Sequence, residues 1–202
     1  MIIVRIPGIF KKIYPGLIWN ISAADRAVCL TFDDGPTPGI TERVLSVLDE
    51  FRAVATFFCI GRNAERHPEI LRQILEAGHE VGNHTYSHLK GWYTPNRQYF
   101  EDIELASEFI PSDLYRPAYG MITPCQVRYL RKEYRIVMWD VMSYDFHPRT
   151  SREKCLDHVI RYTKPGSVVV FHDSVKASEK LLFALPRALE YFMERGFTFK
   201  TI

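Results

Sequence analysis

From residue 27 to the C-terminus, short apolar runs alternate with stretches in which apolar residues recur every three or four positions. Uninterrupted runs bounded by turn residues predict buried strands, and the wider spacing predicts amphipathic helices. Strands are expected at 27–32, 54–60, 80–82, 114–116, 134–141, 167–171 and 197–202. Between them come a helix carrying Val44, Val47, Leu48 and Phe51 and a helix over about 67–77. A third helix carries Tyr99, Ile103, Ala106 and Ile110, a fourth covers about 124–133, and a fifth carries Leu156, Val159 and Ile160. The last covers about 178–195 and contains Pro186, which predicts a kink or a fresh start there. The breaker pairs Ala77-Gly78, Pro165-Gly166 and Arg195-Gly196 precede strands. Seven strands alternating with six helices predict an α/β fold with a parallel sheet, either doubly wound or closed into a barrel. Both forms carry their chemistry beyond the carboxyl ends of the strands.

With 202 residues, 47% of them hydrophobic, the chain can bury one sizeable core, and no repeat or linker divides it. Residues 27–202 therefore read as one domain. The net charge of +2 is small and the basic residues are scattered, so no nucleic-acid footprint stands out. Cys29, Cys59, Cys125 and Cys155 form no Cys-x-x-Cys pair and read as buried, reduced thiols of a cytosolic protein.

Residues 1–26 form an N-terminal extension. It opens with an apolar stretch interrupted by Pro7-Gly8 and followed by Lys11-Lys12, without a small-residue cleavage site. That argues against a cleaved signal and a spanning helix. Phe10, Lys11, Lys12, Tyr14 and Trp19 either pack on the domain or rest on a membrane surface. The chain thus reads as cytoplasmic or peripheral at a membrane.

The polar residues that follow the strands carry the chemistry. The first strand runs into Thr31-Phe32-Asp33-Asp34-Gly35-Pro36. Adjacent carboxylates at the end of a buried strand repel, and a metal ion resolves the conflict by ligating one while the other handles a proton. A solvated acidic turn is the plain alternative. After the third strand come His84 and His88, whose spacing on a turn of helix places both rings on one face. Two histidines and one carboxylate form a facial site with positions open for water and substrate; a surface histidine pair is the alternative. The fourth strand delivers Arg116, able to pair with an acid and keep it ionised, the fifth leads to Asp145, and the sixth ends at His172. His172 suits a general acid, with Asp145 holding its ring. Five strand ends thus converge on one set of groups.

This set resembles the NodB-homology polysaccharide deacetylases, carbohydrate esterase family 4, from about residue 27 to the C-terminus. Thr31 to Pro36 matches the TFDDGP motif and His84 to His88 the His-Ser/Thr-x-x-His motif. Arg116 to Gly120 resembles Arg-Pro-Pro-Tyr-Gly with Ala118 at the second proline, Asp145-Phe146 falls on Asp-Trp, and Val170-Phe171-His172 on Leu-x-His. The resemblance implies a distorted (β/α)7 barrel. It implies Asp34, His84 and His88 as ligands of one divalent metal, most readily Zn²⁺, with Co²⁺, Ni²⁺ or Fe²⁺ as alternatives. Asp33 would be the general base, Arg116 its partner, His172 the general acid and Asp145 the residue that tunes it. Tyr119, Phe146 and Val170 would border the acetyl pocket, with a backbone N–H near Tyr119 holding the oxyanion.

The implied reaction is removal of N-acetyl groups from N-acetylglucosamine-type sugars or polysaccharide. Alternatives are hydrolysis of a cyclic ureide, as in allantoinase-like members of the fold, and a glycan-binding module without catalysis. A two-carboxylate phosphotransferase lacks a Gly-rich phosphate loop beside Asp33-Asp34. His67, His79 and His158 read as structural, and His147 as a candidate border of the substrate groove.

Overall fold

The computed structural model describes residues 3–23 and 26–202. Its strands are β1 (Ala27–Asp33), β2 (Thr56–Cys59), β3 (Glu80–Asn83), β4 (Leu114–Tyr115), β5 (Arg135–Ile136), β6 (Val141–Met142), β7 (Val168–His172) and β8 (Thr198–Phe199). The longer helices are α1 (Gly8–Ile13), α2 (Thr41–Glu50), α3 (Gly61–Arg66), α4 (Pro68–Glu76), α5 (Asn96–Ser107), α6 (Pro124–Leu130), α7 (Arg152–Tyr162) and α8 (Ser178–Glu194). The strands pair in parallel in the order β5-β4-β3-β2-β1-β7-β6, and β8 lies against the start of β1. The expected distorted barrel is present.

Alternation along the strands divides the layers. Val28, Leu30 and Phe32 of β1 and Val169 and Phe171 of β7 face outward into a core shared with Leu48, Leu181, Leu185 and Leu189 of the surrounding helices. On the inner face, Phe58, Leu114 and Val137 meet Ile18 and Ile202. Asp33 and His172 are register partners at the carboxyl ends of β1 and β7, so the alternation that buries Phe32 and Phe171 outward turns both chemical groups inward.

The structure corrects several expectations. The strand expected at 134–141 is two strands, β5 on β4 and β6 on β7, at opposite ends of the sheet order. Residues 137–140 cross between those edges, because two polar ties hold them. Arg116 donates to the carbonyls of Val137 (3.3 Å) and Met138 (2.9 Å), and buried Asp140 accepts from Lys11 (2.5 Å), Ser167 (2.6 Å) and Arg5 (3.3 Å). His84 and His88 occupy a loop rather than a helical turn, with Thr85 (φ 64°) and His88 (φ 59°) in the left-handed region. The α8 helix continues through Pro186, held by a buried face of Leu181, Ala184, Leu185, Ala188, Leu189 and Phe192. A further helix, α3, precedes α4. Cys125 is exposed, whereas Cys29, Cys59 and Cys155 are buried.

The N-terminal segment lies along the barrel's open side. Arg5 bridges antiparallel to Val141, Ile18 parallel to Val137, and Asn20 antiparallel to Ser167. Helix α1 buries no residue, and Ile9, Phe10 and Ile13 are exposed on it. Among the described residues, no helix is long and apolar enough to cross a membrane.

Candidate active site

The strand ends converge on a cavity of about 700 Å³ lined by Asp33, Asp34, His84, His88, His172 and Phe146, among others. Each group is held from below. Asp33 is buried, and its Oδ1 accepts from Arg116 Nη1 at 2.7 Å. The Arg116 guanidinium is itself fully buried, donates to Thr31 Oγ1 at 2.7 Å and lies 4.0 Å over the Phe58 ring. Burial alone would raise the Asp33 carboxyl, but the charges of Arg116, His84 and His172 overcome it and hold the group below the usual range. Asp33 is therefore held ionised at neutral pH.

Asp34 adopts φ 83°, in the left-handed region, and its carboxylate lies beside the two histidines. Its Oδ1 lies 3.3 Å from His88 Nε2 and 3.9 Å from His84 Nε2. One ligand atom from each of the three residues falls within 4.8 Å of the others. The donor set fits a metal ion. His84 Nδ1 lies 2.8 Å from the Arg116 carbonyl, which can only accept, so Nδ1 carries a proton and Nε2 is the ring atom left to face Asp34. Burial, then the neighbouring His84, lowers His88 to about 4, leaving a neutral imidazole. The loop that carries both rings is fixed by side chains: Asp102 accepts from the amides of Tyr86 (2.8 Å) and Ser87 (3.0 Å), and Asn83 accepts from Thr85 N at 2.8 Å.

On the neighbouring strand end lies His172, whose Nδ1 is 2.8 Å from Asp145 Oδ1 while its backbone amide donates to Asp145 Oδ2 at 2.7 Å. Burial would depress this imidazole, but the Asp145 charge and hydrogen bond, with Asp33 and Asp34 behind them, raise it to about 9. The Phe146 ring meets it edge-on at 4.7 Å. Tyr119 (φ 59°) sits 4.6 Å from the His88 ring at the cavity's rim. Gly120, also at positive φ, admits the Trp139 ring so closely that a Cβ there would lie 2.5 Å from it.

Of the sequence-predicted residues, Asp33, Asp34, His84, His88, Tyr119, Phe146 and His172 line the cavity, and Arg116 and Asp145 stand directly behind it. Val170 does not line it. It is fully buried on the inner face of β7, two residues below His172. His147 is also absent from the lining. Sequence reasoning missed Asp173, which is buried and accepts from Gly35 N (3.1 Å) and Thr41 Oγ1 (2.6 Å), tying β7 to the Asp33-Asp34 turn. A Cβ on Gly35 would lie 2.1 Å from Asp173 Oδ2, which explains the glycine. The signal was present as a second acid following a buried strand, beside His172. Trp139, Met142, Tyr144 and Val175, which form much of the wall, gave no signal because isolated apolar and aromatic residues read as core.

Known proteins resemble this chain in sequence and fold. The polysaccharide deacetylase family model matches residues 20–135. A peptidoglycan-N-acetylglucosamine deacetylase of Bacillus cereus is 31% identical over 194 residues, spanning 91% of this chain and 90% of its own. A chitooligosaccharide deacetylase of Rhizobium leguminosarum is 30% identical over 196 residues, spanning 88% and 91%. A solved peptidoglycan N-acetylglucosamine deacetylase, in complex with 4-naphthalen-1-yl-N-oxidanyl-benzamide, superposes with a TM-score of 0.86 at 28% identity, covering 98% of this chain and 95% of that one. With a match over more than half its length and relatives alike from end to end, the chain belongs to the NodB-homology polysaccharide deacetylase family.

Proposed function

We propose that this protein hydrolyses the N-acetyl group of N-acetylglucosamine-type sugars or glycans, with a divalent ion, most readily Zn²⁺, held by Asp34, His84 and His88. One observation carries the reading. An ionised acid backed by arginine and a protonated histidine backed by an acid face one cavity from neighbouring strand ends, with a metal-competent triad in the same lining. Amide hydrolysis needs a base for water and an acid for the departing nitrogen, in one site and in different protonation states.

Held by Asp34, His84 and His88, a divalent ion would supply Lewis-acid polarisation of the acetyl carbonyl and would lower the pKa of a nearby water. Asp33, kept ionised by Arg116, takes a proton from the attacking water. The backbone N–H near Tyr119 stabilises the developing oxyanion, and His172, kept protonated by Asp145, gives its proton to the sugar nitrogen as the C–N bond breaks. Phe146 closes one side of the acetyl site and holds the His172 ring edge-on. Met142, Trp139 and Tyr144 give the cavity much of its apolar wall.

Acetate release from N-acetylglucosamine oligomers by chelator-stripped protein, with and without added Zn²⁺, tests the reading. Zinc-dependent release is expected. Stoichiometric metal binding without release from any oligomer would contradict it and favour another amide.

A further inference from the structure

The left-handed backbone of Asp34 is a conformation that persists in a residue with a side chain only where the surroundings over-determine it. The peptide groups on both sides of Asp34 are gripped. On one side, the Asp33 carbonyl accepts from the Asp173 amide at 3.1 Å. On the other, a single peptide group is held at both of its polar atoms: the Asp34 carbonyl accepts from Asn63 Nδ2 at 2.8 Å, and the Gly35 amide donates to Asp173 Oδ1 at 3.1 Å. The Gly35 carbonyl then accepts from the Ile60 amide at 2.9 Å. None of these bonds uses the Asp34 carboxylate. Asp173 is braced in turn, since its other oxygen accepts from Thr41 Oγ1 at 2.6 Å and that hydroxyl accepts from the Thr37 amide at 2.7 Å.

The segment that supplies Ile60 and Asn63 also holds the histidine loop. Strand β2 lies between β1 and β3, so the residues that follow it run between the two loops that bring the metal ligands. The Gly61 amide donates to the Thr85 carbonyl at 2.9 Å and the Arg62 amide to the Tyr86 carbonyl at 3.2 Å. Residues 60 and 63 therefore hold the acid turn, and residues 61 and 62 the histidine loop. A Cβ on Gly61 would lie 2.8 Å from Ala106 and 3.0 Å from the Tyr86 ring, so the segment is seated tightly. Its grip sets how far Asp34 stands from His84 and His88.

We propose that Asn63 is a positioning residue for the metal. Together with Asp173, which holds the other end of the same peptide group, it presets the Asp34 carboxylate against the two histidines, so that the ion meets a formed site. The proposal rests on the reading of Asp34, His84 and His88 as the ligands.

Zinc titration of chelator-stripped protein by calorimetry, for the parent, Asn63→Ala, Asp173→Asn and Asp173→Ala, tests it without substrate. Asn63→Ala should still take one ion, but about 10- to 100-fold more weakly, the usual effect of removing a group that orients a ligand. Acetate release lost at limiting zinc should return once zinc exceeds the new Kd. Asp173→Asn, which can still offer an oxygen to the Gly35 amide, should bind with nearly parental affinity, and Asp173→Ala should weaken binding at least as much as Asn63→Ala. Should Asp173→Ala fail to fold, Asn63→Ala decides the matter. A lower urea midpoint of metal-free Asn63→Ala with unchanged zinc affinity would make the tether structural only and overturn the proposal. Hydrogen exchange at the Gly35 amide gives a second readout, with equal protection expected in the metal-free and zinc-loaded parent. Protection that appears only with zinc would mean that the ion orders the turn, and would overturn the proposal too. No zinc binding by the parent would overturn the ligand reading and this proposal with it. Zinc affinities as expected without acetate release from the parent would count against the deacetylase reading and not against the role of Asn63.

Discussion

The two sides of the barrel are built by different physics. One side, β1, β2, β3 and β7, has strands of four to seven residues, and β1, β2 and the first four residues of β7 are buried throughout. The other side, β4, β5 and β6, has strands of two residues each. A two-residue strand buries too little to position itself. Those strands are set instead by buried polar ties: Arg116 on the carbonyls of Val137 and Met138, Asp140 on the N-terminal segment, and the paired hydroxyls of Tyr99 and Tyr115. The long strands carry Asp33 and His172, whereas the short ones carry the groups that tune and enclose them. Chemistry thus rides on the side fixed by hydrophobic burial, and its electrostatics on the side fixed by charge.

The largest effect should follow from breaking the tie the two sides share. Arg116→Met leaves Asp33 buried without its partner and the Val137 and Met138 carbonyls without their donor. Losing one member of a buried pair costs about 3–5 kcal/mol. A urea-unfolding midpoint should fall accordingly, and an unchanged midpoint would mean that the short strands hold themselves.

Asp145→Asn probes electrostatics without touching the long strands. Because His172 is raised to about 9, its proton is present below that pH and lost above it. Asparagine removes the charge that raises it, so the alkaline limb of the kcat/KM profile should move to lower pH. Turnover should drop by about 10²-fold, the scale of general-acid catalysis. A limb that stays in place would assign the proton to another group.

A smaller effect is expected from Asp140→Asn. Arg5 and Lys11 are partly exposed and find water when the charge is removed. The cost should be about 1–2 kcal/mol, with hydrogen exchange accelerating at the amides of Ile6 and Met142. Uniform acceleration across β1 would instead show that the two sides unfold as one.

The same contrast explains what the sequence disclosed. The apolar runs at 27–32 and 167–171 announced β1 and β7 because burial itself is the signal. The acids and histidines that follow them were legible because a charge at the end of a buried strand is costly unless a partner or an ion offsets it. The single run at 134–141 concealed two strands, since nothing in hydropathy marks where Arg116, remote in sequence, will seize a carbonyl. The helical reading of His84 and His88 failed for a similar reason: Asp102 and Asn83 bend that loop through backbone hydrogen bonds that no spacing rule contains. Asp173 was passed over because its partners, Gly35 and Thr41, lie more than a hundred residues away.

The central claim is a division of labour between neighbouring acids, with Asp34 holding the ion and Asp33 left free for the proton. Zinc titration by calorimetry, run beside acetate release for the parent protein, Asp33→Asn and Asp34→Asn, tests it most directly. The account predicts one ion per chain for the parent and for Asp33→Asn, with release cut by about 10²-fold or more in the latter, and loss of tight binding in Asp34→Asn. Zinc binding lost in Asp33→Asn, or kept in full by Asp34→Asn, would contradict it.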